Sequence, residues 1–116
     1  MSAVPTPNLR RTDLLQGTLD MLVLRTLTVQ SLHGYAIAQH IERLSQSVFR
    51  VEQGSLYPAL ERLQQKGLVK SKWDETPTGR RARYYTITAS GRAQLSEKAA
   101  EYDRMALGIA RIMGRA

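Results

Sequence analysis

The segment Gly54-Ser55-Leu56-Tyr57-Pro58-Ala59-Leu60-Glu61-Arg62-Leu63 leads into Lys66-Gly67-Leu68-Val69. The turn Thr76-Pro77-Thr78-Gly79-Arg80-Arg81 follows, and then Arg83-Tyr84-Tyr85-Thr86-Ile87-Thr88. Leu56, Leu60 and Leu63 stand at i, i+4 and i+7, which predicts a helix with those leucines facing a core. Its start falls near Gly54 or Ser55, which puts Pro58 in a first turn whose N–H groups have no intrahelical partner. Gly67 stops the helix where a positive φ is wanted. Leu68 to Asp74 and Arg83 to Thr88 then predict two strands joined by a Pro/Gly turn with a basic tip. Val69, Ser71 and Trp73 share one strand face, as do Tyr85 and Ile87.

Toward the N-terminus, apolar residues from Tyr35 through Ile37, Ala38 and Ile41 to Leu44 predict a helix over about His33–Ser45. Tyr35 is expected in the core, and Ser45 to Val51 is expected to be a short extended link. An earlier helix is capped by Thr12 or Asp13, whose side-chain oxygens can accept a free first-turn N–H. Leu15, Leu19, Leu22 and Val23, widened by Leu14, Met21, Leu24 and Leu27, give it an apolar stripe broad enough for a core and a partner. The Pro/Ser/Thr-rich start has no apolar period and is expected to be a mobile arm. Toward the C-terminus, Thr88 or Ser90 caps a long last helix. There Leu95, Ala99, Tyr102, Ala106, Ile109 and Met113 follow the 4-3 repeat of a coiled-coil seam, which no later element covers.

The 116 residues suffice for one modest core, and a hydrophobic fraction of 42% argues against disorder. Asp20 and Arg25 break the longest apolar stretch too early for a membrane span, and no secretory signal is visible. The absence of cysteine removes disulfides and thiolate metal sites and fits a reducing compartment. A net charge of +7 points to polyanions as partners. From Gln64 to Tyr84 the sequence carries Lys66, Lys70, Lys72, Arg80, Arg81 and Arg83 against Asp74 and Glu75 alone.

With Leu56 at the core, 100° per residue puts Pro58, Glu61, Arg62 and Gln65 on the far side of the helix and Ser55 and Tyr57 at its flanks. Arg62 and Gln65 carry donors suited to guanine or adenine edges, and Ser55 with first-turn N–H groups suits a phosphate. The bland alternative is a solvated helix face. Gly79 permits a tight turn that exposes Arg80 and Arg81, residues suited to phosphates and a narrow minor groove, where the alternative is an ordinary charged tip. His33 is open between a phosphate contact and a satisfied cap. Its seven-residue spacing from His40, with no third ligand, argues against a metal site, and no cofactor is implied. Trp73, the single tryptophan, is expected to pack in the core beside Val69 and Tyr85. No nucleophile–base pair, phosphate loop or paired carboxylates support an enzyme.

These motifs together resemble the PadR family of bacterial transcriptional regulators. The matching text is Leu32-His33-Gly34-Tyr35, Gly54-Ser55-Leu56-Tyr57-Pro58-Ala59-Leu60, Lys66-Gly67-Leu68-Val69, Gly79-Arg80-Arg81-Ala82-Arg83-Tyr84-Tyr85, and Ile87-Thr88 with Gly91. The resemblance runs from about Leu14 to Leu95, and the single helix after Gly91 suits the family's small subtype. It implies a homodimeric repressor in the cytoplasm whose last helix contacts the partner's first and last helices. It also implies DNA contacts at Ser55, Tyr57, Pro58, Gly79, Arg81, Arg83 and Tyr84. Members of the family often respond to a small planar effector, held between subunits in some cases, and no residue of this sequence fixes one. Ala82 departs from the basic residue frequent in the family.

The expected fold is therefore mainly α with a small β-hairpin (α+β), a winged helix-turn-helix with a long C-terminal dimerisation helix. Residues 1–11 would be the arm, 12–88 the DNA-binding domain and 89–116 the dimerisation helix. The expected partners are a pseudo-palindromic operator in double-stranded DNA and a second copy of the chain, with no membrane. The alternative function is a winged-helix protein-interaction module.

Overall fold

A computed structural model of the protein describes residues 16–115. The proposed arm, the candidate caps Thr12 and Asp13, and the interface candidate Leu15 lie outside the described residues. The element order is α1 (Gln16–Thr26), β1 (Leu32–His33), α2 (Gly34–Leu44), α3 (Gln53–Gln65), β2 (Val69–Glu75), β3 (Arg81–Ile87) and α4 (Ala89–Met113). The helices and a three-stranded antiparallel sheet of order β1-β3-β2 make an α+β winged helix.

The core lies where α1, α2 and α3 meet the base of the sheet. Val23 and Leu24 of α1, Ile37 of α2, and Leu56, Leu60 and Leu63 of α3 are buried in it with Val69, Tyr85 and Ile87. The helical periods select these positions, and the leucines of α3 face inward as their spacing predicts. Leu19 is also buried, so it belongs to the chain's own core and is removed from the expected dimer surface. The wheel treats α1 as two-sided, but Leu19 is enclosed within the chain's own fold.

Two connections differ from expectation. Leu32 and His33 pair with Tyr85 and Tyr84 as a third strand, too short for any sequence period to reveal. The link after α2 begins with a tight turn, Gln46 and Ser47 both having positive φ, instead of running extended. Ser45 organises that turn: its Oγ donates to the Glu42 carbonyl and accepts from the Phe49 N–H. Neither left-handed residue is glycine, so composition gave no signal there.

The third helix starts earlier than its proline suggests. Helix α3 opens at Gln53, which makes Pro58 its sixth residue, in the second turn. The Gly54 carbonyl thus lacks its N–H partner at i+4, yet the helix continues to Gln65. Gly67, at φ 74°, ends the helix as expected. The hairpin runs in register from Val69 opposite Ile87 to Glu75 opposite Arg81. Each strand is thus placed within two residues of its expected limits, and Gly79 at φ 86° makes the turn.

Helix α4 is tied to the base of the hairpin. Thr88 caps it by accepting from the Gly91 N–H at 3.0 Å, and it also donates to the Gly67 carbonyl at 2.8 Å. Arg92 donates to the Thr28 carbonyl just past α1, fixing the angle at which α4 leaves the fold. Gly91 has to be glycine because a Cβ there would collide with the Leu68 carbonyl oxygen and the Ile87 side chain. Gly91→Ala is expected to cost about 2 kcal/mol of stability in urea unfolding, the cost of forcing a group into a filled site. A stability equal to wild type would show that α4 is not seated on the wing.

Candidate nucleic-acid interface

The sequence places an exposed helix face and a basic hairpin tip near each other; the structure shows what holds them. The exposed side of α3 carries Tyr57, Pro58, Glu61 and Gln65, with Ser55 half-buried at its N-terminal end. Arg62 does not share that face as an open donor. Its Nη2 donates to Asp20 Oδ1 at 3.0 Å, in a pair whose side chains are 28% and 6% exposed. Asp20 is the buried charged residue among the described residues, and Arg62 is its counter-ion across the α1–α3 contact. The wheel gave Arg62 to the duplex because it contains no term for a buried carboxylate on another helix.

A second polar cluster fixes α3 to the wing. Gln64 Oε1 accepts from Ser71 Oγ at 3.0 Å and from Arg83 Nη2 at 3.3 Å, and Arg83 also reaches Ser71 Oγ at 3.1 Å. Arg83 is therefore half-buried and turned inward, with its guanidinium 6.0 Å from the centre of the Tyr85 ring. Burial pushes the Tyr85 phenol above its ordinary pKa, and Arg83 partly opposes the rise. Tyr84 donates its hydroxyl to the Glu75 carbonyl and packs edge-on against His33. His33 in turn caps α2, its Nδ1 accepting from the Ala36 N–H at 3.2 Å. The open choice at His33 thus resolves to a cap for this nitrogen.

Between α2, α3 and the wing lies an open cleft of about 950 Å³. It brings together His33, Tyr57, Arg80, Arg81 and Arg83 from the expected set. Ser55, Pro58 and Gln65 lie on α3 outside its lining, and Gly79 shapes the turn beyond it. Arg80 and Arg81 are exposed at the tip. The cleft also holds residues that sequence reasoning placed elsewhere. Tyr35 is 59% exposed rather than in the core, and Trp73 is 58% exposed rather than packed beside Val69. The hairpin projects beyond the core, so the alternation that buries Val69 has no core residue to set against Trp73. Tyr35 precedes the buried Ile37 and lies off the inward face of α2.

Gly34 was legible as part of a motif, but not for what it does. A Cβ at Gly34 would come within 2.9 Å of the Tyr57 ring and closer to its hydroxyl. The bare backbone of α2 is thus the seat on which α3 rests Tyr57. Apart from the cleft, and sharing none of its lining, Leu22, Leu95, Ala99 and Tyr102 line a groove of about 570 Å³ between α1 and α4. Beyond it, Ile109 and Met113 are more than half exposed, and Ala106 is half-buried.

The family model of the transcriptional regulator PadR-like family matches residues 23–97. Uncharacterized protein X of Lysinibacillus sphaericus is 32% identical over 92 residues, 79% of this chain and 84% of that protein. The transcriptional regulator Rv3488 of Mycobacterium tuberculosis is 40% identical over 75 residues, 65% of this chain and 62% of its own length. A PadR family transcription regulator from hypervirulent Clostridium difficile R20291 has a similar solved structure, with a TM-score of 0.70 at 28% identity. That match covers 82% of this chain and 97% of the other.

The Asp20–Arg62 pair generates its own test. Arg62→Leu leaves a buried carboxylate without its counter-ion and is expected to cost about 3 kcal/mol in urea unfolding. Gln65→Leu, on the exposed face, should stay within about 0.5 kcal/mol of wild type. Equal effects of the two substitutions would mean that Arg62 is not held by Asp20.

Proposed function

We propose that this chain, which belongs to the PadR-like family of transcriptional regulators, is a homodimeric repressor of a pseudo-palindromic operator. The observation that carries the reading is the placement of two exposed arginines, Arg80 and Arg81, on the rim of the cleft that Tyr57 of α3 also borders. A duplex whose major groove takes the N-terminal half of α3 would set its neighbouring phosphates against that tip. Ser55, Tyr57, Pro58 and Gln65 are the proposed contacts on α3, and Gly79, Arg80 and Arg81 those on the wing. His33, Arg62, Arg83 and Tyr84 support them from within the fold. Residues 12–88 would act as the DNA-binding unit, acting in the cytoplasm and without an enzymatic step.

The dimer reading rests on α4. Its 25 residues extend about 37 Å at 1.5 Å per residue, and they carry the exposed Tyr102, Ile109 and Met113. A second copy packed along that seam, against Leu22, Leu95, Ala99 and Ala106, would hide apolar surface that one chain leaves in water. Residues 89–116 would then set the distance between two recognition helices. A dimer bound over a promoter would occlude transcription, and a small planar effector seated near the α1–α4 groove would release it by shifting that distance.

Two measurements separate the parts. Arg80→Ala and Arg81→Ala should each weaken duplex binding and lower the slope of log K against log salt by about one unit per lost phosphate contact. Unchanged slopes in both would remove the wing from the interface. Tyr102→Asp or Ile109→Asp puts a charge in the apolar seam, where burial without a partner is costly. Sedimentation should show these variants as monomers at micromolar concentration; persistent dimers would place the interface elsewhere.

A further inference from the structure

Trp73 has no role in the fold that its position explains. One face of the hairpin carries Val69, Ser71, Trp73 and Glu75 on β2, and Ile87, Tyr85, Arg83 and Arg81 on β3, with Glu75 directly opposite Arg81. That face changes character along its length. Val69, Tyr85 and Ile87 are buried, Ser71 and Arg83 bond to Gln64, and Trp73 and Arg81 stand past the edge of the core. Trp73 is directly opposite Arg83 and diagonal to Arg81, within reach for long side chains. The Arg81 guanidinium carbon lies 5.6 Å from the centre of the indole ring. Both residues border the cleft shared with Tyr57.

We propose that Trp73 is a positioning residue for DNA: its indole face holds the Arg81 guanidinium aimed at a backbone phosphate, and the pair docks as one unit. This rests on the DNA-binding reading above. An arginine at a hairpin tip samples many rotamers, and ordering it on binding costs affinity. A guanidinium lying on an aromatic ring is held at its flat side, which leaves its edge N–H groups to face an oxygen acceptor. A duplex entering the cleft would also cover the indole, which one chain leaves more than half exposed. Stacking on Arg81 would thus strengthen as water is excluded.

The test uses the full chain and a fluorescein-labelled mixed-sequence duplex of about three helical turns, at several salt concentrations. Retention of the duplex by the wild type is measured first, by anisotropy. The signature of positioning is a change in salt dependence without a change in charge. Trp73→Ala should weaken binding about three- to tenfold and lower the salt slope by up to about one unit, while Trp73→Phe keeps most of both. Combining Trp73→Ala with Arg81→Ala should cost no more than Arg81→Ala alone. Because Trp73 is the single tryptophan, emission of the wild type should shift to shorter wavelength or be quenched as the duplex binds. Retention of the duplex with additive losses, or with Trp73→Ala indistinguishable from wild type, would overturn the inference and leave the DNA-binding reading standing. No retention by the wild type at low salt would overturn both.

Discussion

The ion pair between Asp20 and Arg62 is the constraint on which the working face of this molecule depends. A carboxylate 6% exposed on α1 is stable only with a partner, and the partner comes from α3. Such a pair adds little net stability over a well-packed apolar contact, yet it accepts only one arrangement of the two helices. It fixes the rotation of α3 about its axis. With Arg62 turned toward α1, the side left outward carries Tyr57, Pro58, Glu61 and Gln65. The bond network of Gln64, Ser71 and Arg83 then sets the wing against the same helix. Two of the four candidate arginines, Arg62 and Arg83, are engaged in this way, and their work is to place what remains.

What remains is concentrated. Arg80 and Arg81 keep their exposure because Gly79 turns the chain ahead of them, beyond the last residues that the core can cover. Tyr57 keeps its place because Gly34 has no side chain. The wing and α3 therefore present their groups across one cleft at a fixed separation. Helix α4 is seated separately, through Gly91 and Arg92. The basic cleft and the apolar seam of α4 are thus distinct surfaces, as the proposed dimeric DNA-binding reading requires.

Much of the fold was legible because its signals are local. The leucines of α3, Gly67, the two hairpin strands and the Thr88 cap stand where period, turn chemistry and capping put them. The failures share a cause. Tyr35 and Trp73 were assigned to the core by residue type, but their exposure depends on where neighbouring elements end. The α1 stripe offers Leu19 to core and partner alike, and only its burial in the folded chain settles it. Arg62 was assigned by its angle on the wheel, while its partner lies 42 residues away on α1. The strand Leu32–His33 is fixed by pairing with β3 and has no period of its own. A single sequence carries local periods well and carries long-range pairing only through motifs that already imply the fold.

In the proposed complex, two copies of this cleft read one stretch of duplex together. Selection of bound duplexes from a random pool, followed by sequencing, tests it most directly. The account predicts enrichment of a pseudo-palindrome whose half-sites are centred about one helical turn apart, or a multiple of it. A pool that stays unenriched, or that yields a single unrepeated half-site, would contradict it.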